Sequence, residues 1–557
     1  MIEKPFIETL QNSIRDNWDS PAFTDYGTDV TLTYGDVARQ IEHIHILFRT
    51  CGIEKNDRVA LMGKNTSSWV TAYIATMTYG AIIVPILQDF KANDALHIIN
   101  HSESKFLFIA DGLYDNMDIS QMEQVVAVVS LTNFAPLAVV KGVKRENLMP
   151  ERVAEEYKRL YPDGIKPELL NYAKKTNEEI ASFNYTSGTT GFSKGVITKL
   201  NALAGNVKFC IDVHVTYKES RQVVFLPLAH SFGCAFDFLS TFCAGGHMWL
   251  MGKIPSPKVL LQAFAEVKPT CVLTVPLILE KIYKNKIVPQ ITKPPVSWVM
   301  KVPLLDEVVL SKLRQALLDA FGGCIDEVII GGAPLNQEVD LFLKKIRFPY
   351  TVGYGMTECA PLISYVNYKY YKPQSCGKIL DGLMEIRVAD KNAEGIGELQ
   401  VRGEHVMVGY YKNEEATRLI FTKDGWLKTG DLGYIDEEGN IFIKGRDKNM
   451  LLGPSGQNIF PEEIESKLNN MPYVMESLVI EDKGALVALV CPDYTAADAD
   501  HLTQEMLEAA METNRKNLNA QIAAYEQINK IILYPHEFEK TPKKSIKRFL
   551  YTRVDGQ

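Results

Sequence analysis

YTSGTTGFSKGV, residues 185–196, interleaves three glycines (Gly188, Gly191, Gly195) with hydroxyl side chains, Thr186, Ser187, Thr189 and Thr190 among them. It closes on Lys194 and has apolar residues on both sides. Glycine lets successive amides turn inward without Cβ clashes, the hydroxyls add donors, and the lysine brings a mobile positive charge. Such a loop suits phosphate oxygens. A plain Gly/Ser/Thr surface turn explains the composition, but not the donor density, the single lysine and the hydrophobic flanks together. It is not a Walker A loop: counted from Gly188, Ser193 stands where the second glycine belongs, and no Gly-Lys-Ser/Thr follows.

A second stretch, YTVGYGMTECAP (residues 350–361), reads as a strand ending at Gly353, followed by Tyr354, Gly355, Thr357 and Glu358. Tyr354 can stack on a purine, Thr357 can donate to an α-phosphate, and Glu358 can hold a hard divalent cation through oxygen. Upstream, DEVIIGGAPL gives a buried strand (residues 328–330) that ends in Gly331, Gly332, Ala333 and Pro334. Nucleotides lie at strand ends in open α/β sheets, and small residues there let a flat base approach the backbone. Taken alone, that segment reads as a simple strand-to-helix turn.

Together these stretches resemble the AMP-forming acyl-CoA synthetase superfamily, which includes acyl- and aryl-CoA ligases, luciferases and amino-acid adenylation domains. Ser193 replaces the proline usual before the lysine. The resemblance implies that Lys194 and the loop 186–191 hold the phosphates of ATP, and that Gly332, Ala333, Pro334, Gly353, Tyr354, Gly355 and Thr357 line the nucleotide. It places Mg²⁺ on Thr186 and Glu358. In WLKTGDLGYID, Asp431 matches the residue accepting both ribose hydroxyls, although an aspartate in a Gly-flanked turn is often only a turn former. Arg446, in KGRDKNM, matches the second ribose contact. His230 and Gly355 match positions beside the acyl carboxylate, where the histidine would position rather than transfer a proton. Lys448 matches the hinge, and the turn with Gly453, Ser455 and Gly456 matches the lining of the channel that admits the coenzyme A thiol.

The tail EFEKTPKKSIKRFLY departs from the family. The expected catalytic lysine, three residues after Pro542, is Ser545, flanked by Lys543, Lys544 and Lys547. Lys544 is the expected substitute; the alternative is a solvated basic terminus.

Bulk properties bound the rest. A chain of 557 residues is too long for one core. Its 46% hydrophobic and 23% charged residues are those of an ordinary soluble globular protein. A formal charge of −8 argues against nucleic acid as the main partner. Nine cysteines without CxxC or zinc spacing fit reduced thiols in the cytoplasm. No signal peptide is read at the N-terminus, and the most apolar long segment, residues 223–251, is broken by Pro227, His230, Asp237 and glycines. A soluble protein is expected, with peripheral membrane contact open and the oligomeric state unspecified.

Periodicity predicts an α/β fold. A short strand pair around Phe23 and Leu32 precedes a helix introduced by Thr33 and Asp36, whose apolar face is Val37, Ile41, Ile44 and Leu47. Strand, helix and strand then alternate from residue 57, which argues for parallel sheets with covering helices. Strands at residues 223–226 and 328–330 flank a further strand–helix unit at 267–283 and an amphipathic helix at 307–320. Residues 378–443 read as a small antiparallel β-subdomain. The expected domains are 1–447, a large N-terminal adenylation domain containing that subdomain, and 448–557, a small mobile α+β domain.

The function these readings imply is ATP-dependent activation of a carboxylic acid to acyl-AMP, then transfer to coenzyme A. A medium- or long-chain fatty acid is favoured by the wording around Val267 and Asn458 and by Phe232, Phe236 and Phe238 as lining for an acyl tunnel; phenylalanines so placed are more often core. An aryl acid, a carrier-protein acceptor, or a non-catalytic homologue lacking the tail lysine remain as alternatives.

Overall fold

The computed structural model describes residues 2–28, 30–186, 193–252, 255–292, 305–452, 458–482, 484–541 and 546–552. Thr33 starts the helix Tyr34–Thr50 with a capping box: its side chain accepts from Asp36 N, and the Asp36 carboxylate accepts from Thr33 N. The buried stripe of Val37, Ile41, Ile44 and Leu47 then packs inward as its spacing requires.

Strands Arg58–Met62, Ile82–Ile86, Ser104–Ile109 and Ala127–Ser130 run parallel at the centre of an eight-stranded sheet, and Ile180–Thr186 joins them in the same direction. Both edges are antiparallel: Lys194–Lys199 and Gly409–Tyr410 on one, Pro136–Val139 on the other. The sheet is therefore mixed rather than parallel throughout. Lys194–Lys199 follows its neighbour after a loop too short for a crossover, so it can only fold back as a hairpin.

A second sheet combines Arg221–Val224, His247–Leu250, Pro21–Asp25 and Thr31–Thr33. A third, fully parallel, contains Cys271–Thr274, Glu327–Ile330 and Tyr350–Val352. Its carboxyl ends lie side by side, with Gly331 N donating to Thr274 O at 3.1 Å and Gly353 N to Ile330 O at 2.9 Å. Both glycine turns singled out in the sequence therefore emerge at one edge.

The apolar stretch 223–251 is not one helix. After its strand come a wide-turn helix with i→i+5 bonding, Gly233–Ser240, a short helix Thr241–Ala244 and the strand His247–Leu250. Phe238 is fully buried in the aromatic core, 5.5 Å from the ring of Tyr73 and 6.3 Å from that of Phe23. No helix among the described residues is long and apolar enough to cross a membrane.

Strands Met384–Ala389, Gly397–Gly403, Leu427–Ile435 and Ile441–Arg446 form an antiparallel sheet. Beyond it, Val474–Asp482, Ala485–Pro492 and Lys530–Leu533 make a separate three-stranded sheet. Helices Pro461–Leu468 and Gln504–Asn519 fill one face of it through Ile464, Leu468, Leu507 and Leu518. Phe538 and Tyr551 cover the other face.

Glu327 opens the central strand of the parallel three-stranded sheet. Its carboxylate accepts bonds from the Tyr365 hydroxyl and, at 2.6 Å, from Tyr368 N, and burial pushes it up from 4.5 to about 7. The folded chain therefore holds this proton more tightly than the unfolded one, so stability falls as pH rises from about 4.5 to about 7 and levels off above. Glu327→Gln should flatten that slope; denaturant midpoints at pH 5, 6, 7 and 8 that run parallel for the two proteins would refute the assignment.

Candidate nucleotide site

The hairpin that carries the glycine-rich loop is in register from Ile180↔Lys199 to Thr186↔Lys194. Residues 187–192, with Ser187, Gly188, Thr189, Thr190 and Gly191, lie outside the described residues. Beside the loop Gly195 packs closely on the Tyr185 ring, from which a Cβ would stand 3.0 Å. The Tyr185 hydroxyl is tied to His101 Nδ1 at 2.7 Å. Lys194 Nζ sits 5.0 Å from the centroid of the Tyr410 ring, within cation–π range.

Glu358 lies in the 3₁₀ turn Thr357–Cys359. Its Oε1 accepts the Tyr410 hydroxyl at 2.9 Å and its backbone carbonyl accepts Met407 N at 2.8 Å. Thr357, just before it, is buried. Gly355 allows the chain to pass close to the following segment, since a Cβ would come within 2.3 Å of Pro361 O.

The other half of the site is built on Asp431. This carboxylate is only 3% exposed, and burial pushes it up while Arg446 and the Tyr354 hydroxyl pull it back. Tyr354 donates to Oδ2 at 2.5 Å and Arg446 Nε to Oδ1 at 2.7 Å. Asp431 and Arg446 are direct cross-strand partners, which fixes the pair by β-register. Tyr354 is itself buried, so its ring is committed to the wall of the site and its hydroxyl to Asp431. Two residues beyond Arg446, the Lys448 ammonium is held below its ordinary range first by burial, then by repulsion from Arg446 and Lys194, with Asp431 opposing. Lys448 thus faces the same charge cluster as the loop lysine.

After the strand Glu327–Ile330, Gly332 takes φ +84°, a left-handed conformation that glycine adopts without strain, ahead of Ala333 and Pro334. A Cβ on Gly331 would stand 2.9 Å from the Phe232 ring, which packs against Phe236 at 5.6 Å. Of the three phenylalanines considered for an acyl tunnel, Phe232 is the one at the glycine turn. His230 stands two residues before it, and its Nδ1 accepts Phe232 N at 3.2 Å.

Gly453, Ser455, Gly456, Lys543, Lys544 and Ser545 lie outside the described residues. Leu452 and Asn458, which flank the first turn, pair as antiparallel partners. At the tail, Lys540 and Ile546 form an antiparallel bridge. Lys540 Nζ pairs with Glu476 at 2.8 Å, Lys547 with Glu539 at 3.0 Å, and Arg548 reaches buried Glu465 at 2.6 Å. In this arrangement Lys547 is tied to its own tail.

Sequence reasoning passed over two residues. Tyr410 lies in GYYKN, which carries no chemical signature of its own. Asn336 caps the helix Gln337–Lys345 and bonds Asn470 Oδ1 at 2.6 Å and Ser466 O at 3.2 Å, linking the Gly332 turn to the C-terminal helix. An asparagine directly after GGAPL was a legible N-cap signal.

Residues 10–411 match the family model described as AMP-binding enzyme, which covers well over half of the chain. The chain belongs to that family. It is 29% identical to the long-chain-fatty-acid–CoA ligase FadD15 of Mycobacterium bovis, over 94% of this chain and 90% of the relative. It is 28% identical to the probable 4-coumarate–CoA ligase 3 of Dictyostelium discoideum, over 86% and 83% of the two chains. Its fold superposes on ATP-bound MatB from Rhodopseudomonas palustris with a TM-score of 0.75 at 22% identity, over 97% of both chains.

Asp431 and Arg446 should be energetically coupled. Because the Arg446 side chain is 46% exposed, solvent screens the pair, and a double-mutant cycle with Asp431→Asn and Arg446→Ala should return a coupling of about 1 kcal/mol. Additive effects on the unfolding midpoint would show the pair to be incidental.

Proposed function

We propose that this chain is an AMP-forming acid–thiol ligase, activating a medium- or long-chain fatty acid with ATP and passing the acyl group to coenzyme A. The supporting observation is convergence. Lys194, the turn carrying Tyr354 and Glu358, Asp431, and the segment carrying Arg446 and Lys448 lie apart in the chain; Tyr410 bridges Lys194 to Glu358, and Asp431 joins Tyr354 to Arg446.

In this reading Asp431 takes the ribose hydroxyls, with Arg446 and Tyr354 holding its oxygens in place. Small residues at Gly331, Gly332 and Gly353 leave backbone for the base to lie against. Lys194 and the amides of loop 186–191 grip the phosphates. Glu358 and Thr186 suit a Mg²⁺ ion: the ion prefers hard oxygen donors, Glu358 is aimed by Tyr410, and Thr186 lies opposite Lys194 in the hairpin. The bound ion supplies charge neutralisation at the phosphates.

A carboxylate oxygen of the acid attacks the α-phosphorus, the bond to the bridging oxygen breaks, and pyrophosphate leaves with that electron pair. His230 positions the acid, and Lys544 of the tail steadies the carboxylate and the bridging oxygen. The thiol of coenzyme A, losing its proton, then attacks the acyl carbon and AMP departs. Between steps the C-terminal unit turns about Lys448, exchanging the tail lysine for the turn at residues 453–458.

The similarity to FadD15 supports a fatty acid, and the similarity to a 4-coumarate–CoA ligase is why an aryl acid stands as the competing substrate class. Ser545 supports a second reading, a nucleotide-binding homologue without catalysis.

Pyrophosphate exchange into ATP across a panel of alkyl and aryl acids, with AMP release measured with and without coenzyme A, tests the proposal. Exchange should be strongest with medium or long alkyl acids and AMP release should require the thiol. Intact ATP binding with exchange on no acid would replace the ligase reading by the second one. Among Lys543→Ala, Lys544→Ala and Lys547→Ala, only Lys544→Ala should lower adenylation, by about tenfold or more. If none of the three lowers it that far, the substitute lysine is misassigned.

A further inference from the structure

Residues 407–411 strap the glycine-loop hairpin to the Glu358 turn. Met407 N donates to Glu358 O at 2.8 Å, Val408 N to Ile197 O at 3.0 Å, and Tyr411 N to Gly195 O at 2.8 Å. Gly409 and Tyr410 pair with Ile197 and Val196 as an edge strand. Gly409 takes φ +155°, and a Cβ on it would stand 2.7 Å from Thr417 Cγ2, so the strap depends on glycine at that point. Thr417 Oγ1 accepts Tyr410 N at 2.9 Å and donates to Asn413 O at 2.9 Å, locking the turn behind the tyrosine.

Held this way, one side chain meets two functional groups. The Tyr410 ring face lies 5.0 Å from Lys194 Nζ, and its hydroxyl donates to Glu358 Oε1 at 2.9 Å. The ring is 7% exposed.

We propose that Tyr410 is a positioning residue that sets the separation of the phosphate-gripping Lys194 and the cation-binding Glu358 before nucleotide arrives. The proposal rests on the nucleotide site described under the ligase reading. Its consequence is selective: the tyrosine serves capture of Mg²⁺–ATP and adenylation, and not transfer of the finished acyl group to the thiol. A tyrosine that merely fills the core would affect folding or both half-reactions alike.

Tyr410→Phe keeps the ring under Lys194 and deletes the hydroxyl; Tyr410→Leu removes both contacts. The full-length proteins are compared by calorimetric titration of ATP at a series of Mg²⁺ concentrations, by pyrophosphate exchange, and by thiol transfer from preformed acyl-adenylate. With Tyr410→Phe, the Mg²⁺ concentration giving half-maximal ATP affinity should rise about tenfold, as expected for losing a hydrogen bond to a charged group. ATP affinity without Mg²⁺, the KM for the acid and the thiol-transfer rate should stay at wild-type values. Tyr410→Leu should weaken ATP binding in the absence of Mg²⁺ as well. An unchanged Mg²⁺ dependence in a folded Tyr410→Phe protein, or an equal loss in thiol transfer, overturns the proposal. A wild-type protein that binds Mg²⁺–ATP but exchanges pyrophosphate with no acid defeats the ligase reading, while the titration still decides the role of Tyr410. Failure of the wild-type protein to bind ATP at all overturns both.

Discussion

Asp431 is a carboxylate almost wholly withdrawn from water. Burying such a group is costly unless it is bonded, and two bonds offset the cost, one from a distant part of the chain and one from the adjoining strand. Tyr354 arrives from the carboxyl edge of a parallel sheet, and Arg446 from the neighbouring strand of the antiparallel subdomain. The demand of one acid for partners thus joins the end of one sheet to the face of another. It also places Lys448, two residues past Arg446, against the cluster that contains Lys194.

The opposite wall of the site follows a similar logic with a different group. The edge strand Gly409–Tyr410 completes the eight-stranded sheet beside the hairpin and carries the aromatic ring that meets both Lys194 and Glu358. Cation, ring and carboxylate form a neutralising series in which no charge faces an apolar wall alone. Phe232 and Phe238 show how narrowly position divides such roles. They stand six residues apart on one helical segment, yet the first lies at the glycine turn and the second deep in the aromatic core with Tyr73 and Phe23.

The C-terminal sheet has its own apolar filling, and the segment leading into it is tied to the rest by apolar packing of Phe460 on Ile396 and Leu432 as well as by polar contacts. Asn336 bonds Asn470, and Lys444 pairs with Glu463. Polar contacts of this kind exchange for water at little net cost, which suits a unit proposed to change its orientation during turnover. Within that unit the tail is held at both ends, by Lys540 on Glu476 and Arg548 on Glu465.

Local chemistry was legible in the chain as written. The capping box at Thr33 and Asp36, the strand ends at Gly331 and Gly353, and the antiparallel character of residues 378–443 all follow from neighbouring residues whose preferences agree. Three features did not follow. The mixed sheet edges, the wide-turn helix Gly233–Ser240 and the pairing of Tyr410 with Glu358 across 52 residues depend on which surfaces meet after the chain has folded back on itself. A motif records what a residue can do, because propensity and donor chemistry act over a few neighbouring bonds. Which partner it meets is settled by packing among segments far apart in the chain, and no local preference encodes that.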